Sequence, residues 1–383
     1  MKILLYGATG TIGDSVFKIV KENQEKLRVV AATCNTNYKK LEKLKIKYNI
    51  EKLGINNHKS AEKYKSLYCT SNKKLVIGNE NFLKLITSDI DVIILAISGL
   101  SALNISYDIA KSGKIFGLAN KECIISIGPR LISLAKKNKT KIIPLDSEHN
   151  SIYRLLESNK KKFKSITITA SGGPFFNKKL SYLRNVTPNQ AIKHPIWKMG
   201  KKISVDSATM VNKALEIIEA KYLFDLSSDQ INAIIHPESI VHAAINFNDN
   251  SSISLLNKPD MRIPISYLFN LNNNSKEKEN IFQQLNRKSL TFHKISHNKF
   301  PAIRLAYKVL EIGGLAPHIF NYNNEVLVNL FLQKKIRFLD IVKYNEITLM
   351  KFLESNKNIF QPNLKDINNT SIWINKNIFL GKI

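Results

Sequence analysis

The sequence predicts an α/β protein: an N-terminal doubly wound parallel sheet, then an α+β domain, then a C-terminal helical domain. Three observations predict it. Short apolar runs alternate with amphipathic stretches up to about residue 145, a glycine-rich turn closes the first run, and helical spacing takes over beyond Pro301. The early runs are Ile3–Tyr6, Val29–Thr33, Val92–Ala96, Ile115–Leu118 and Ile142–Leu145, with helical patterns at Asp14–Glu25 and Ala102–Ser112 between them. The residues of 165–169 read as a strand, and runs at Ile231–Ile235, Ile240–Phe247 and Ser252–Leu256 predict a second sheet. An Asn- and Lys-rich stretch, 270–280, reads as a linker, and the residues from Asn356 onward specify little. The implied domains are 1–145, 146–290 and 299–383.

With 383 residues and 44% hydrophobic content the chain can bury a sizeable core and is not disordered. A formal charge of +28 raises a nucleic-acid partner. The lysines, however, are scattered through every segment beside Asn and Ile, in pairs such as Lys39-Lys40, Lys73-Lys74 and Lys178-Lys179, and arginine is scarce. That pattern argues for compositional drift rather than a basic groove, so no nucleic-acid partner is expected, although the excess charge helps to steer anionic substrates. The three cysteines, Cys34, Cys69 and Cys123, form no CxxC pair. With no charged-then-apolar leader before Lys2–Tyr6 and no apolar run long enough for a bilayer, a cytoplasmic protein without signal or transit peptide is expected.

Gly7-Ala8-Thr9-Gly10-Thr11-Ile12-Gly13 follows a strand and opens a helix. Glycines there permit a tight turn and let backbone N–H groups approach a pyrophosphate, which makes the first domain Rossmann-like. The second strand ends Cys34-Asn35-Thr36-Asn37, with no acid to take the ribose hydroxyls, which favours NADP(H) over NAD(H); Lys39 or Lys40 could supply a cation to the 2′-phosphate. Ala119-Asn120-Lys121-Glu122 stands just past another strand, where open α/β sheets bind ligands, or else it is a plain helix start.

Asp146-Ser147-Glu148-His149-Asn150 also follows a strand, and its two carboxylates can converge on one cation, with His149 either touching the metal or supporting it. Asn212, Glu216 and Glu219 stack at helical spacing with Lys213 on their flank, on an otherwise apolar helix, so the charges are expected to be buried and paired or metal-bound. An oxygen-only set suits Mg²⁺ or Mn²⁺. Ser171-Gly172-Gly173-Pro174 ends a strand and begins a long loop, where Ser171 can donate to a phosphate. The loop runs to His194-Pro195-Ile196-Trp197-Lys198-Met199-Gly200, and Trp197 either plugs into the body or closes over substrate as a lid.

Taken in order, Ala-Asn-Lys-Glu at 119–122, Asp-Ser-Glu-His-Asn at 146–150, Ser-Gly-Gly-Pro-Phe at 171–175 and Ile-Ser-Val-Asp-Ser-Ala-Thr-Met at 203–210 closely resemble the 1-deoxy-D-xylulose 5-phosphate reductoisomerases, nearly over the full length. The resemblance implies a homodimer with an NADPH-binding domain, a catalytic domain and a C-terminal bundle. It implies that Asp146, Glu148 and Glu216 hold Mg²⁺ or Mn²⁺, with Co²⁺ as a further metal. Ser171, His194, Ser207, Asn212 and Lys213 would bind substrate, mostly at its phosphate, joined by Ser147, Lys121 and the lid residue Trp197. Thr9, Gly10, Thr11, Ile12, Asn120, Glu122 and Gly200 would contact NADPH, with Asn35 and Asn37 standing where the family commonly has Gly-Lys-Asn. The implied reaction rearranges and reduces 1-deoxy-D-xylulose 5-phosphate to 2-C-methyl-D-erythritol 4-phosphate. Alternatives are an NADP-dependent dehydrogenase of the homoserine or semialdehyde type, or a basic nucleic-acid-binding protein.

Overall fold

The computed structural model describes residues 1–68, 75–159, 161–197, 200–271, 281 and 289–378. The chain runs β1 (Lys2–Tyr6), α1 (Thr11–Glu22), β2 (Arg28–Cys34), α2 (Tyr38–Tyr48), β3 (Lys52–Ile55), α3 (His58–Tyr68), β4 (Leu75–Ile77), β5 (Val92–Leu95), α4 (Leu103–Ala110), β6 (Ile115–Leu118), α5 (Lys121–Lys137) and β7 (Lys141–Pro144). Next come α6 (Ser147–Ser158), β8 (Ser165–Ala170), α7 (Leu180–Leu183), α8 (Pro188–Ala191), α9 (Lys201–Ala208), α10 (Val211–Phe224), β9 (Ile231–Ile235), β10 (Val241–Asn246) and β11 (Ser252–Leu256). Helices α11 (Arg262–Leu268), α12 (Pro301–Ile312), α13 (Ala316–Leu332), α14 (Asp340–Ser355) and α15 (Leu364–Asn377) complete it. Two compact units result. One comprises Met1–Cys123, Leu131–Asp146 and the segment beginning at Met261, and the other comprises Ile124–Arg130, Ser147–Asp260 and the C-terminal remainder.

The first unit carries the expected doubly wound sheet, all parallel, in the order β4-β3-β2-β1-β5-β6-β7. Its strands are apolar along both faces because helices cover each side, and Ile3, Leu4, Leu5 and Tyr6 are fully buried. The strand order reverses between β1 and β5, which places the turn after β1 at the switch point. Strands β3 and β4 were not expected from the sequence. Each is short, and Gly54 lies within β3 where a Cβ would stand 2.8 Å from the side chains of Thr33 and Phe82. Helix α1 begins at Thr11, earlier than the expected Asp14, because Gly10 is extended and serves as its N-cap. Helix α11 lies against this sheet at Gly117, where a Cβ would stand 2.6 Å from Leu268.

In the second unit the mixed sheet runs β11-β10-β8-β9, with β8 parallel to β9 and antiparallel to β10. Leu155 of α6 packs on it against Ile245 and Phe247. The loop expected after β8 is more ordered than its polarity suggests, since it holds α7 and α8, and Asp206 and Ser207 belong to α9 rather than to a lead-in. The chain turns from α9 into α10 at Met210, which adopts the left-handed conformation at φ 61°. Residues after Asn356 form α15, begun by a capping box between Asn363 and Asp366. Of the expected linker, residues 272–280 lie outside the described residues, as do Cys69, Lys73, Lys74, Lys160, Lys198 and Met199. Among the described residues, no helix is long and apolar enough to cross a membrane.

A buried histidine ties the C-terminal helices together. His318 of α13 is fully buried, with Nδ1 3.1 Å from Ser126 Oγ and Nε2 3.0 Å from Ser371 Oγ. Ser371 already donates its proton to Ile367 O, so it accepts from His318 Nε2–H, and Ser126 donates to Nδ1. Burial pulls the His318 pKa down from 6.5 to about 3. Below pH 6.5 the unfolded chain therefore takes up a proton that the folded chain refuses. Stability falls as pH drops through that window towards 3, by about 1.4 kcal/mol per pH unit from this group. His318→Gln should lose this component, so urea denaturation at pH 7 and pH 5 should show a loss about 2 kcal/mol smaller than in the parent.

Candidate active site

In the first unit the glycine turn lies where β1 meets β5. Gly7 has φ 84°, and a Cβ there would fall 2.4 Å from Ala96 O, so no other residue fits. A Cβ on Gly13 would fall 2.2 Å from Ala8 O, which lets α1 approach the sheet closely. Gly10 makes no side-chain cap, so the first N–H groups of α1, around Thr11 and Ile12, keep the character of an anion seat. Thr9 is held from below: Lys40 Nζ donates to Thr9 O at 3.0 Å and pairs with Asp14 at 2.7 Å. Lys40 is thereby committed to the turn itself, against the expectation that it could serve the 2′-phosphate, whereas Lys39 is exposed. Asn35 Oδ1 accepts from Asn56 at 3.1 Å, and Asn37 Oδ1 caps α2 through Lys40 N at 3.1 Å.

Asn120 is 1% exposed and its amide is spent internally. It donates to Ile97 O and Gly99 O at 2.7 and 2.9 Å and caps α5 by accepting from Cys123 N at 2.8 Å. Any ligand contact from Asn120 therefore runs through its backbone. Beside it Glu122 is buried, and Lys121 Nζ lies 3.0 Å from Asp146 Oδ2, just past β7. The helix-start reading of Ala119–Glu122 holds, since Asn120 caps α5, and its neighbour Lys121 reaches the strand-end carboxylate.

In the second unit the charges expected on α10 are buried, not solvated. Lys213 is 4% exposed, and Glu216 and Glu219 are each 1% exposed. Lys213 Nζ lies 2.7 Å from Glu148 Oε1 and also contacts Glu216 Oε2, so one ammonium bridges two carboxylates. Asn212 donates to the other Glu216 oxygen, and Ser147 donates to Glu148 Oε2. Two hard carboxylates sharing one cation in a dry setting form a seat whose chemistry suits a divalent ion. His149 Nε2 donates to Glu216 O at 3.0 Å and its Nδ1 stands 3.6 Å from Glu219 Oε2, both in the interior. It supports the Glu216 turn from behind.

A second cluster gathers around the Gly-Gly turn after β8. Gly172 and Gly173 have φ 81° and 65°, and a Cβ on Gly173 would fall 2.7 Å from Ser207 O, so the turn rests directly on α9. His194 Nδ1 accepts from Trp197 N at 2.9 Å and from Ile196 N at 3.2 Å. Burial pulls its pKa down to about 4, so the ring is neutral near pH 7 and carries its proton on Nε2. That N–H meets Ser171 Oγ at 3.1 Å, and Gly173 N donates to the same oxygen at 3.3 Å. With two donors arriving, the Ser171 proton points to a third group, as a phosphate oxygen requires. Trp197 is half-buried against His242, with ring centroids 6.5 Å apart. Gly200 caps α9 at φ −63°, and a Cβ there would meet nothing within 4 Å, so no steric reason demands glycine.

Sequence reasoning missed α9, the Lys40 clamp on Thr9 and the packing of Gly173 on Ser207. A helical reading of Lys201–Ala208 was available from Ile203, Val205 and Ala208, but Ser204 and Ser207 masked it. A thiol nucleophile, needed for a semialdehyde-dehydrogenase reading, is not offered by Cys34 or Cys123. Both are buried, and burial pushes the Cys34 thiol up to about 12 and the Cys123 thiol up as well.

Comparison with known proteins is consistent along the chain. A family model described as 1-deoxy-D-xylulose 5-phosphate reductoisomerase matches residues 3–128, its C-terminal domain matches 142–224, and the DXP reductoisomerase C-terminal domain matches 256–377. The chain is similar to the 1-deoxy-D-xylulose 5-phosphate reductoisomerase of Clostridium novyi (strain NT), 39% identical over 362 residues and covering 93% of each chain. In structure it is similar to the Zymomonas mobilis reductoisomerase in complex with NADPH, with TM-score 0.88, 31% identity and coverage of 98% and 97%. It is also similar to a DOX-P reductoisomerase in complex with NADPH, fosmidomycin and magnesium, with TM-score 0.90, 30% identity and coverage of 99% and 97%.

Proposed function

The chain belongs to the 1-deoxy-D-xylulose 5-phosphate reductoisomerase family, and from that premise we propose that it rearranges and reduces 1-deoxy-D-xylulose 5-phosphate to 2-C-methyl-D-erythritol 4-phosphate, using NADPH and a divalent cation, as the committed step towards isoprenoid precursors. The observation that carries this reading is the buried Glu148–Lys213–Glu216 cluster, which an ordinary dehydrogenase has no use for. Glu148 and Glu216, with Asp146 two residues upstream of Glu148, hold Mg²⁺ or Mn²⁺, with Co²⁺ as a further metal. When bound, such a cation polarises the ketone and adjacent hydroxyl and stabilises charge on oxygen during the skeletal shift. The family assignment leaves no role for the homoserine-type or nucleic-acid alternatives.

The chain's own residues do the rest. Once the two carboxylates are neutralised otherwise, the Lys213 ammonium turns to the substrate phosphate, beside Asn212. The Ser171 hydroxyl, fixed by the neutral His194, and Ser207 on α9 supply further donors to that phosphate. A phosphate that does not react contributes binding energy for orienting the reacting end. Lys121, paired with Asp146, keeps a positive charge and an exchangeable proton beside the ligand carboxylate, and Ser147 orients Glu148. Trp197 shields the site from water. NADPH supplies the hydride; the amides of Gly10, Thr11 and Ile12 with Thr9 seat its pyrophosphate, Asn35 and Asn37 offer amide N–H groups to the 2′-phosphate, and the Asn120 backbone, Glu122 and Gly200 complete its contacts. Functionally, residues 1–145 form the NADPH domain, 146–290 the catalytic domain with the dimerising sheet, and 299–383 the helical support of a homodimer.

The test is NADPH oxidation by the purified chain with substrate and metal omitted in turn. Turnover only when both are present supports the reading; turnover with another aldehyde and none with this substrate overturns it. Gly173→Ala gives a sharper check of the phosphate cradle. Its φ of 65° and the 2.7 Å approach to Ser207 O leave no room for a methyl group. The substrate KM should rise by about 10-fold, of the order expected for roughly 1.4 kcal/mol of lost binding, with the KM for NADPH unchanged.

A further inference from the structure

Asp206 is 1% exposed, a carboxylate inside the second unit next in sequence to Ser207. A buried carboxylate needs partners, and Asp206 has two of different kinds. Lys202 Nζ, 3.2 Å from Oδ2, belongs to α9 itself, so that ion pair neutralises the charge but fixes nothing outside the helix. Asn324 Nδ2, 2.8 Å from Oδ1, comes from α13 and is the partner that ties α9 to the C-terminal helices. Among the described residues, Val205 and Ala208 also share an apolar cluster with Leu327 and Val328, and such packing is non-directional.

The Asn324 side chain is fully buried, and its Oδ1 has no hydrogen-bond partner among the described residues. An apolar residue would avoid that orphaned acceptor. A flipped amide would set Oδ1 against the carboxylate, so the donor end must face Asp206. The chain thus keeps an unfavourable buried amide for one contact, and that contact fixes the turn of α9 bearing Ser207, on whose carbonyl the Gly173 turn rests.

We propose that Asn324 is a positioning residue: through Asp206 it sets the rotation of α9, and so the placement of Ser207 and the Ser171–Gly173 turn against the substrate phosphate. The inference rests on the phosphate-binding role proposed above for Ser171 and Ser207. Asn324 itself touches neither substrate nor cofactor.

Asn324→Ala is compared with Asp206→Asn, which keeps an acceptor for the Asn324 amide. Asn324→Ala should raise the KM for 1-deoxy-D-xylulose 5-phosphate by about 10-fold with the KM for NADPH within about twofold of the parent, as expected where remote phosphate binding is lost. Asp206→Asn should stay within about threefold on both. Amide hydrogen exchange should quicken in Lys201–Ala208 while α10 keeps its protection. A substrate KM unchanged in Asn324→Ala, or both KM values rising together, overturns the proposal. Should Asn324→Ala not fold, Asn324→Ser, which admits water as a substitute donor, is read by the same criteria. If the parent does not turn over this substrate, the functional reading fails; the strut is then judged by the exchange data alone, and unchanged protection of α9 refutes it.

Discussion

Glu216→Gln should abolish metal-dependent turnover, by at least about 10³-fold, while NADPH binds as in the parent. The size follows from what the residue is. Glu216 is 1% exposed, and both its oxygens are engaged, one by Asn212 and one by Lys213. The amide keeps the shape but removes one of the negative charges that a dication needs. The nucleotide turn belongs to a separate unit built around Gly7–Gly13, so cofactor affinity should not follow. Steady-state rates over a Mg²⁺ series, with NADPH binding followed by fluorescence, check both halves. Equal loss of cofactor affinity would break the proposed division of labour.

Lys213→Met should give the largest change in stability. Its ammonium bridges Glu148 and Glu216 at 4% exposure. Removing one partner of a buried charge cluster leaves the others uncompensated and costs about 3–5 kcal/mol. A divalent cation between the same carboxylates would restore the balance. Denaturation in chelator should therefore show the full loss, and excess Mg²⁺ should recover most of it, with a smaller Mg²⁺ effect in the parent. A variant that stays equally unstable with and without Mg²⁺ would contradict the role given to the two glutamates.

Much of this was legible in the sequence because the chemistry is local. The glycine turn reads directly, since Gly7 and Gly13 stand where a Cβ would strike Ala96 O and Ala8 O. Burial of the α10 charges followed from the apolar residues surrounding Asn212, Lys213, Glu216 and Glu219, and the helix is buried as expected. What the sequence hid depends on tertiary neighbours. Lys40 could not be told from Lys39 as a source of a cation, because nothing near it in sequence shows that it clamps Thr9 O and Asp14. Strands β3 and β4 were lost because strands of four and three residues carry too little alternation to register, and β4 lies at the sheet edge. The contact between Asn324 and Asp206 joins residues 118 apart in the chain, and a lone buried amide has no periodic signature.

Glu148 and Glu216, bridged by Lys213, are the proposed seat of the divalent cation. Titration of Mn²⁺ into the metal-free protein, with free ion read by electron paramagnetic resonance, tests it without any turnover. The parent should take up one equivalent tightly, Glu216→Gln should take up none in the same range, and Mg²⁺ should compete for the site. Equal Mn²⁺ uptake by the parent and by Glu216→Gln would contradict the account.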